Sequence, residues 1–452
     1  MSTQHNETDN LSNVEPRTER RDRLHVVAET GRERALLIGL NVYPESREET
    51  LEHLEELELL ADTAGADTVL SVVQNLPKRD VAHFIGRGKV EELKAIIEEE
   101  KITIVIVDGE LSPAQARNLE RAFERKVVDR TGIILDIFAT RARTSEARTQ
   151  VELAQLQYLL PRLSRMWSHL SKQYGGIGSK GPGETQIESD RRLVRTRITH
   201  LREKLERIDT QRETQRKGRA EMFRVALVGY TNAGKSTLMN EVTGAEVLAE
   251  DRLFATLDST VRAVELAPGR TILLSDTVGF IRKLPSHLVA SFRSTLAEVR
   301  EADVLLHVVD ASSDAAAAHI ATVEETLRDI GAGHVPTIMV LNKVDLIPSD
   351  DDRLRDLLAK YPDAVAVSAA RGFGIRALRD RLAEVYEQSF MELVVQLPIE
   401  RWHQAARLYD LADVLDKEFD ETNATMRLRF SPKVRDHVER ILTAIGAETK
   451  GA

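Results

Sequence analysis

The sequence predicts an α/β protein built from two doubly wound, mostly parallel sheets, joined by a helical connector and followed by a small α+β unit. Three observations predict it. Apolar runs of strand length alternate with amphipathic runs of helix length in two separate sets. The stretch between the sets, residues 139–220, carries helical spacing and no strand pattern. The chain of 452 residues also exceeds what one core ordinarily holds, a length that fits about three domains. With 42% apolar and 30% charged residues it can build sizeable cores, and no stretch approaches the roughly 20 apolar residues of a membrane span.

Residues 1–24 are polar, lack the apolar segment of a signal peptide and include the charge run Arg17–Arg23, so they are expected to be a disordered tail. The first set then reads as an N-terminal α/β domain over 25–138. Its strands are expected at Arg34–Leu40, Thr68–Val73, Ile102–Val107 and Ile133–Ile137, with helices over 48–61, 89–100 and 113–124. Next, a helical pattern from Thr144 to Met166 and a second from Glu184 to Lys217 flank Tyr174–Gly183, where five glycines and a proline prohibit regular structure. Leu193, Ile198, Leu201, Leu205 and Ile208 supply the apolar stripe of the second helix. The second α/β set, 221–388, has strands near 223–228, 271–275, 303–309, 336–341 and 364–367. The last segment, 389–452, reads as strand 393–397, helix 400–415, strand 424–430 and helix 432–445.

Composition narrows the chemistry. The absence of cysteine excludes disulfides, thiolate metal sites and a cysteine nucleophile, and it fits a reducing, cytoplasmic location. The net charge of −10, from 63 Lys+Arg against 73 Asp+Glu, argues at face value against a nucleic-acid partner. Its distribution reverses that inference. Residues 141–219 hold 18 Lys/Arg against 9 Asp/Glu, so a stretch at +9 is embedded in an otherwise acidic chain.

The strongest signal follows the apolar strand Phe223–Val228. Gly229-Tyr230-Thr231-Asn232-Ala233-Gly234-Lys235-Ser236 opens a helical run, which is the pattern and the strand-to-helix setting of a phosphate-cradling loop. Glycines let successive backbone N–H groups converge on phosphate oxygens, and the helix N-terminus adds positive potential there. Lys235 would reach the β- and γ-phosphates and the Ser236 hydroxyl would ligate Mg²⁺. Forty residues on, a strand runs into Asp276-Thr277-Val278-Gly279, placing a carboxylate for the metal and an N–H for the γ-phosphate. Asn342-Lys343-Val344-Asp345 ends a later strand. Its Asp345 can accept two hydrogen bonds from guanine that adenine cannot offer, while Asn342 buttresses the loop. Ser368-Ala369-Ala370 would let backbone N–H approach the base oxygen. Between the first two motifs, Leu253–Thr260 holds two threonines placed as a first switch. Thr256 is the expected Mg²⁺ ligand, with Thr260 the rival. Together these are the ordered motifs of a TRAFAC-class GTPase.

Many such proteins place a glutamine after Gly279 to orient the attacking water. Here the residue is Phe280, so the water must be positioned by another group or by a partner, and unassisted turnover should be slow. Arg282 and His287, just beyond, read as solvated residues of the second switch.

At this point the chain resembles one family. Gly175–Gln186 with Asp190-Arg191-Arg192, Phe254-Ala255-Thr256-Leu257-Asp258 and Asp276–Ile281 are similar to the signature strings of the HflX GTPases in the OBG–HflX branch, over about residues 25–450. The resemblance implies an N-terminal HflX domain, a helical linker, a GTPase domain and a C-terminal domain. It also implies GTP contacts at Gly229–Ser236, Phe254–Asp258, Asp276–Gly279, Asn342–Asp345 and Ser368–Ala370. Lys235, Thr256 and Gly279 take the catalytic positions, with Mg²⁺ on Ser236 and Thr256. As partners it implies GTP and GDP and the large ribosomal subunit with its rRNA, hydrolysis being stimulated there and serving ribosome splitting or rescue by a factor monomeric off the ribosome. One departure stands out: Ser259 replaces the proline usual after Leu-Asp.

The residues support an RNA partner independently. A basic hairpin with a glycine-rich tip can meet phosphates through Lys180, Arg191, Arg192, Arg195 and Arg197 and bring its backbone close to nucleotides. A different reading seats an ATP-driven RNA-remodelling activity in the N-terminal domain, with GTP regulatory. Gly86-Arg-Gly-Lys-Val90 is the glycine-lysine cluster there, and its spacing is not that of a phosphate-cradling loop.

Overall fold

The computed structural model describes residues 32–44, 46–163, 182–217, 222–244, 253–257, 260–268, 270–283 and 293–450. The expected tail 1–24, most of the glycine loop with Lys180, and Asp258, Ser259 and His287 lie outside them.

The first unit alternates β1 (Glu33–Asn41), α1 (Arg47–Ala64), β2 (Ala66–Asn75), α2 (Arg87–Glu99), β3 (Ile104–Val107), α3 (Pro113–Phe123), β4 (Lys126–Asp129) and α4 (Arg130–Arg141). Its strands pair in parallel in the order β2-β1-β3-β4. Strand β1 is buried on both faces, Leu36 and Ile38 toward one core and Ala35 and Leu37 toward another, which is why it reads as an unbroken apolar run. Helix α1 starts at a reciprocal cap between Ser46 and Glu49 and ends at Gly65, whose φ of 93° needs a residue without Cβ.

One strand expectation is corrected. Ile133–Ile137 is helical, and the edge strand is the short Lys126–Asp129 before it. A five-residue run with four apolar positions does not distinguish strand from buried helix. The deciding feature is Asp129, whose carboxylate accepts from Gly132 N at 2.9 Å and caps α4, so that Ile133, Ile134, Ile137 and Phe138 fall on one buried face.

Helices α5 (Ser145–Leu159) and α6 (Pro182–Lys217) pack against each other through Leu153 and Leu156 on one side and Val194, Ile198, Leu201 and Leu205 on the other. Leu193, expected in that stripe, is 64% exposed. Val194 takes its place because 194, 198, 201 and 205 keep the three-and-four spacing of a helix face and 193 does not.

The second α/β unit comprises β5 (Phe223–Gly229), α7 (Lys235–Thr243), β6 (Thr260–Ala267), β7 (Arg270–Asp276), α8 (Arg293–Arg300), β8 (Val304–Asp310), α9 (Ala316–Asp329), β9 (Thr337–Asn342), α10 (Arg353–Lys360), β10 (Val365–Ala366) and α11 (Ile375–Gln388). Its order is β10-β9-β8-β5-β7-β6, parallel except for β6. The antiparallel edge strand β6, which the sequence reading did not anticipate, is largely exposed, with Val264 as its buried residue. The final unit holds β11 (Met391–Pro398), a 3₁₀ run at Ile399–Asp410, β12 (Asp413–Phe419), β13 (Asn423–Phe430), α12 (Arg435–Ile445) and β14 (Glu448–Lys450), an antiparallel sheet in the order β12-β13-β11-β14. The helix expected over 400–415 is thus a tighter helix followed by a strand. One apolar cluster joins the first two units, running from Leu57, Ile134 and Phe138 to Phe254, Phe280 and Leu305.

Candidate functional site

The carboxyl ends of β5, β7 and β8 form one crevice, where a doubly wound sheet ordinarily binds its ligand. Gly229 ends β5 with a φ of 155°, and a Cβ there would lie 2.2 Å from the Val308 carbonyl oxygen, so the loop follows its path only with glycine. Gly234, at φ 90°, starts α7 so close to Asn342 that a Cβ would come within 2.3 Å of its Nδ2. Thr231, Asn232, Gly234, Lys235, Ser236, Phe254, Ala255, Thr256, Thr277 and Gly279 line a cavity of about 50 Å³. Lys235 is buried, its ammonium donating to the carbonyls of Gly229 at 3.2 Å and Tyr230 at 2.9 Å. Burial pushes its pKa down to about 8, partly opposed by the carboxylate of Asp276.

Three oxygens converge beside it. Ser236 Oγ lies 2.6 Å from Asp276 Oδ2 and 2.6 Å from Thr256 Oγ1, and Thr256 Oγ1 donates to the same carboxylate oxygen at 3.1 Å. The other oxygen, Asp276 Oδ1, is buried without a hydrogen-bond partner, and burial raises this carboxyl against the pull of Lys235 and the two hydroxyls. Such an all-oxygen set with an orphaned carboxylate atom fits a hard divalent cation. Between the two candidate threonines the geometry favours Thr256. Thr260 opens β6 and is exposed.

Several motif residues act through the backbone while their side chains serve packing. Val278 and Leu257 are buried in the shared core, and Thr277 Oγ1 donates to the Leu227 carbonyl at 2.6 Å. At Gly279 an added Cβ would sit 2.9 Å from Lys235 Nζ and from Thr231 Cα. Phe280 closes the loop by donating its N–H to the Gly229 carbonyl at 3.0 Å and accepting from Thr231 N at 2.8 Å. Its ring is 2% exposed in the core, which is why no water-orienting group stands at this position.

The motifs expected to read the base assemble around Asn342. Its amide donates to the Ala233 carbonyl at 2.8 Å and accepts from Ala369 N at 3.0 Å, tying the phosphate loop to the Ser368–Ala370 turn. Lys343, at φ 61°, pairs with Asp310 at 2.8 Å, and Val344 N donates to the Val367 carbonyl at 3.3 Å. Asp345 and Ala370 are exposed, Asp345 having Arg371 3.9 Å away.

Comparison with known proteins agrees with this geometry. A family model described as "50S ribosome-binding GTPase" matches residues 224–343, one for a "GTP-binding GTPase N-terminal" region matches 51–139, and one for a "GTP-binding GTPase Middle Region" matches 141–219. A GTPase HflX from Flavobacterium psychrophilum is 47% identical over 86% of this chain and 97% of its own length. One from Escherichia coli is 43% identical over 86% and 92%. The chain belongs to the HflX family of GTPases. It is accordingly a GTP hydrolase. Among solved structures, a GTP-binding protein from Sulfolobus solfataricus in complex with GDP is 27% identical and covers 79% of this chain and 99% of its own, with a TM-score of 0.41.

The sequence reading missed that this HflX chain grips its own switches from the N-terminal sheet. The Tyr230 hydroxyl donates to Glu56 of α1 and accepts from Arg282 N at 3.0 Å, while its ring stacks on His319 at 3.9 Å. Arg282, expected to be solvated, instead lies 3.4 Å from Glu56. Lys283 lies 3.6 Å from Asp108 at the end of β3. Between the two acids sits Arg130, 2% exposed, bonded to Glu56 and to Asp108 Oδ1 at 3.0 Å. On the other switch, Phe254, at φ 55°, meets the edge of Phe138 at 4.7 Å. Asp108, a strand-end carboxylate, carried a sequence signal for this role. Glu56, one of many acids on α1, carried none.

Of the expected RNA contacts, Arg192 and Arg195 are exposed on α6, Arg191 is half-buried, and Arg197 turns to α5, pairing with Glu152 at 2.7 Å and 2.9 Å.

Proposed function

We propose that this GTPase works on the large ribosomal subunit as a splitting or rescue factor, its hydrolysis stimulated there, and that it is monomeric and cytoplasmic when free. No helix among the described residues is long and apolar enough to cross a membrane. The single observation that carries the reading is the outer face of α6. Arg192, Arg195 and Arg202 recur at helical spacing, exposed and without an ion-pair partner among the described residues, while the opposite face is committed to α5. A row of free guanidinium groups matches phosphates spaced along RNA, whereas Arg197 is engaged and contributes less. The family matched by the G domain, described by its 50S ribosome binding, supports the same reading.

In the nucleotide site, Lys235 and the loop N–H groups of Gly229–Ser236 hold the phosphates and neutralise charge developing on them. Ser236 and Thr256 would hold Mg²⁺ with Asp276 beside them, and the ion would supply Lewis-acid stabilisation of the phosphate oxygens. Asp345 selects guanine, with Asn342, Ser368 and Ala369 framing the base. With Phe280 buried, the attacking water awaits a group from the ribosome.

The reading that seats ATP chemistry in the N-terminal sheet meets a physical obstacle. The crevice at the carboxyl ends of β1 and β3 is filled by Arg130 between Glu56 and Asp108. The test measures GTP turnover with and without large subunits, and subunit binding across salt. Stimulation is expected, with affinity falling steeply as salt rises. Turnover indifferent to subunits, or binding indifferent to salt, would sink the proposal.

A further inference from the structure

A second cavity opens on the G domain away from the phosphate loop, near the amino ends of β9 and β10. It measures about 560 Å³, within the range of small-molecule sites. Its origin is in the strand lengths. Strand β10 has only two residues, which pair with Val340 and Leu341, so Thr337–Met339 of β9 are bonded to β8 alone and their other edge faces the cavity between α9 and the 360–364 turn.

The floor of this cavity is His307 of β8, flanked by Met339 in register on β9. His307 is 2% exposed, and among the described residues its imidazole makes no hydrogen bond. Leu305 and Val309 on the same face belong to two separate apolar clusters, and His307 and the cavity divide them. The walls are apolar, from Leu327, Ile338 and Tyr361, and the rim carries three cations, Arg328, Lys360 and Arg381. Two acids, Glu324 and Asp363, also line it, and Arg381 is paired with Glu384 at 2.9 Å, so Arg328 and Lys360 are the lining cations that remain to meet a ligand.

The geometry points to a second ligand site, for a heteroaromatic anion of mononucleotide size, its ring between Met339 and Tyr361 with a polar edge on His307 and the free strand edge, and its anionic group on Arg328 and Lys360. Apolar walls alone would take a hydrocarbon, and the rim alone a bare anion. The imidazole of His307, which lines the cavity, favours a ligand that is polar where it meets that ring. This site is independent of the ribosome reading.

The experiment saturates the full chain with GDP and Mg²⁺, so that the phosphate loop is filled, and titrates AMP, adenosine and inorganic phosphate separately. Binding is read by calorimetry, and the His307 imidazole by nitrogen-detected histidine NMR. AMP is expected to bind saturably at one site and to move the His307 resonance, with adenosine and phosphate each at least ten-fold weaker. The double variant R328E/K360E changes two exposed residues and should weaken AMP at least ten-fold without changing GTP turnover. M339W, which fills the cavity, should abolish binding. Absence of saturable AMP binding, binding indifferent to R328E/K360E, an unmoved His307 resonance, or adenosine binding as well as AMP would each overturn the assignment.

Discussion

The first two sheets of this chain share the strand order of a doubly wound parallel core, to which the G domain adds β10 and the antiparallel β6, and they differ in what fills the crevice at the carboxyl ends of that core. In the G domain, glycines at 229, 234 and 279 keep that crevice clear of side chains, and the charged groups left in it, Lys235 and Asp276, belong to the site itself. In the N-terminal unit the same position holds Arg130, bonded to Glu56 and Asp108, and receives Lys283 and Arg282 from the G domain. The same architecture therefore serves a ligand in one case and a neighbouring domain in the other. The N-terminal sheet takes as its guest Arg282 and Lys283, in the segment expected to be the second switch.

The comparison breaks most sharply at the two buried cations. Lys235→Ala should lower GTP turnover at least ~100-fold, because a charge aimed at the transferring phosphate is lost, while thermal stability changes little. Single-turnover hydrolysis and a melting curve check both halves. A variant that still turns over near the parental rate would show that Lys235 is not the phosphate ligand. At the other crevice, Glu56→Ala leaves Arg130 buried with Asp108 as its remaining anion, and should destabilise the protein by about 3 kcal/mol. Denaturant unfolding measures it. A loss below about 1 kcal/mol would mean that the acidic clamp is incidental.

The third prediction concerns the histidine each unit buries. Burial holds both His53 and His307 at about 4, well below the usual value, with Arg282 and Lys283 adding to it at His53 and Lys235 at His307. A histidine depressed in the folded state is neutral there while the unfolded chain takes up the proton. Stability is therefore full above about pH 6.5 and falls as pH drops toward 4. For His307 the loss by pH 5 is on the order of 2 kcal/mol. His307→Asn should flatten the slope of unfolding free energy between pH 7 and pH 5. His53 is held as low even with the carboxylate of Asp108 3.7 Å away favouring its charged form, so it adds a loss over the same pH window. Equal slopes in parent and His307→Asn would remove His307 as the source.

Legibility in the sequence follows the same division. The nucleotide site was readable because its chemistry is local: Gly229 to Ser236 must be consecutive to curl around phosphate, and each later motif must end a strand. Thr256 stood apart from Thr260 only once its hydroxyl was seen to meet the side chains of Ser236 and Asp276, whereas Thr260 meets Asp276 as a ladder partner. The clamp was not readable because its members come from α1, β3, α4 and the second switch, and no spacing links Glu56 to Tyr230, 174 residues away. The strand at Lys126–Asp129 was lost to a more apolar helix beside it, and β6 to its exposure. Motifs report where the chain must touch a ligand. Contacts between its own units leave single residues of ordinary type.

The smallest effect is the most informative about how the two crevices are joined. Tyr230 belongs to both, its carbonyl accepting from Lys235 at 2.9 Å and its phenol bonding Glu56, with burial and that carboxylate pushing the phenol's pKa up. Tyr230→Phe keeps the ring on His319 and the backbone of the phosphate loop, and removes one donor and one acceptor. It should cost about 1 kcal/mol and leave turnover within about three-fold, because the loop's N–H groups stay in place. Combined with Glu56→Gln, the double variant should lose less than the sum of the singles, by about 1 kcal/mol, since both remove the same bond. Strict additivity would mean that Tyr230 and Glu56 are neighbours without a shared interaction. The N-terminal unit would then hold the switches through Arg282, Lys283 and Phe254 alone.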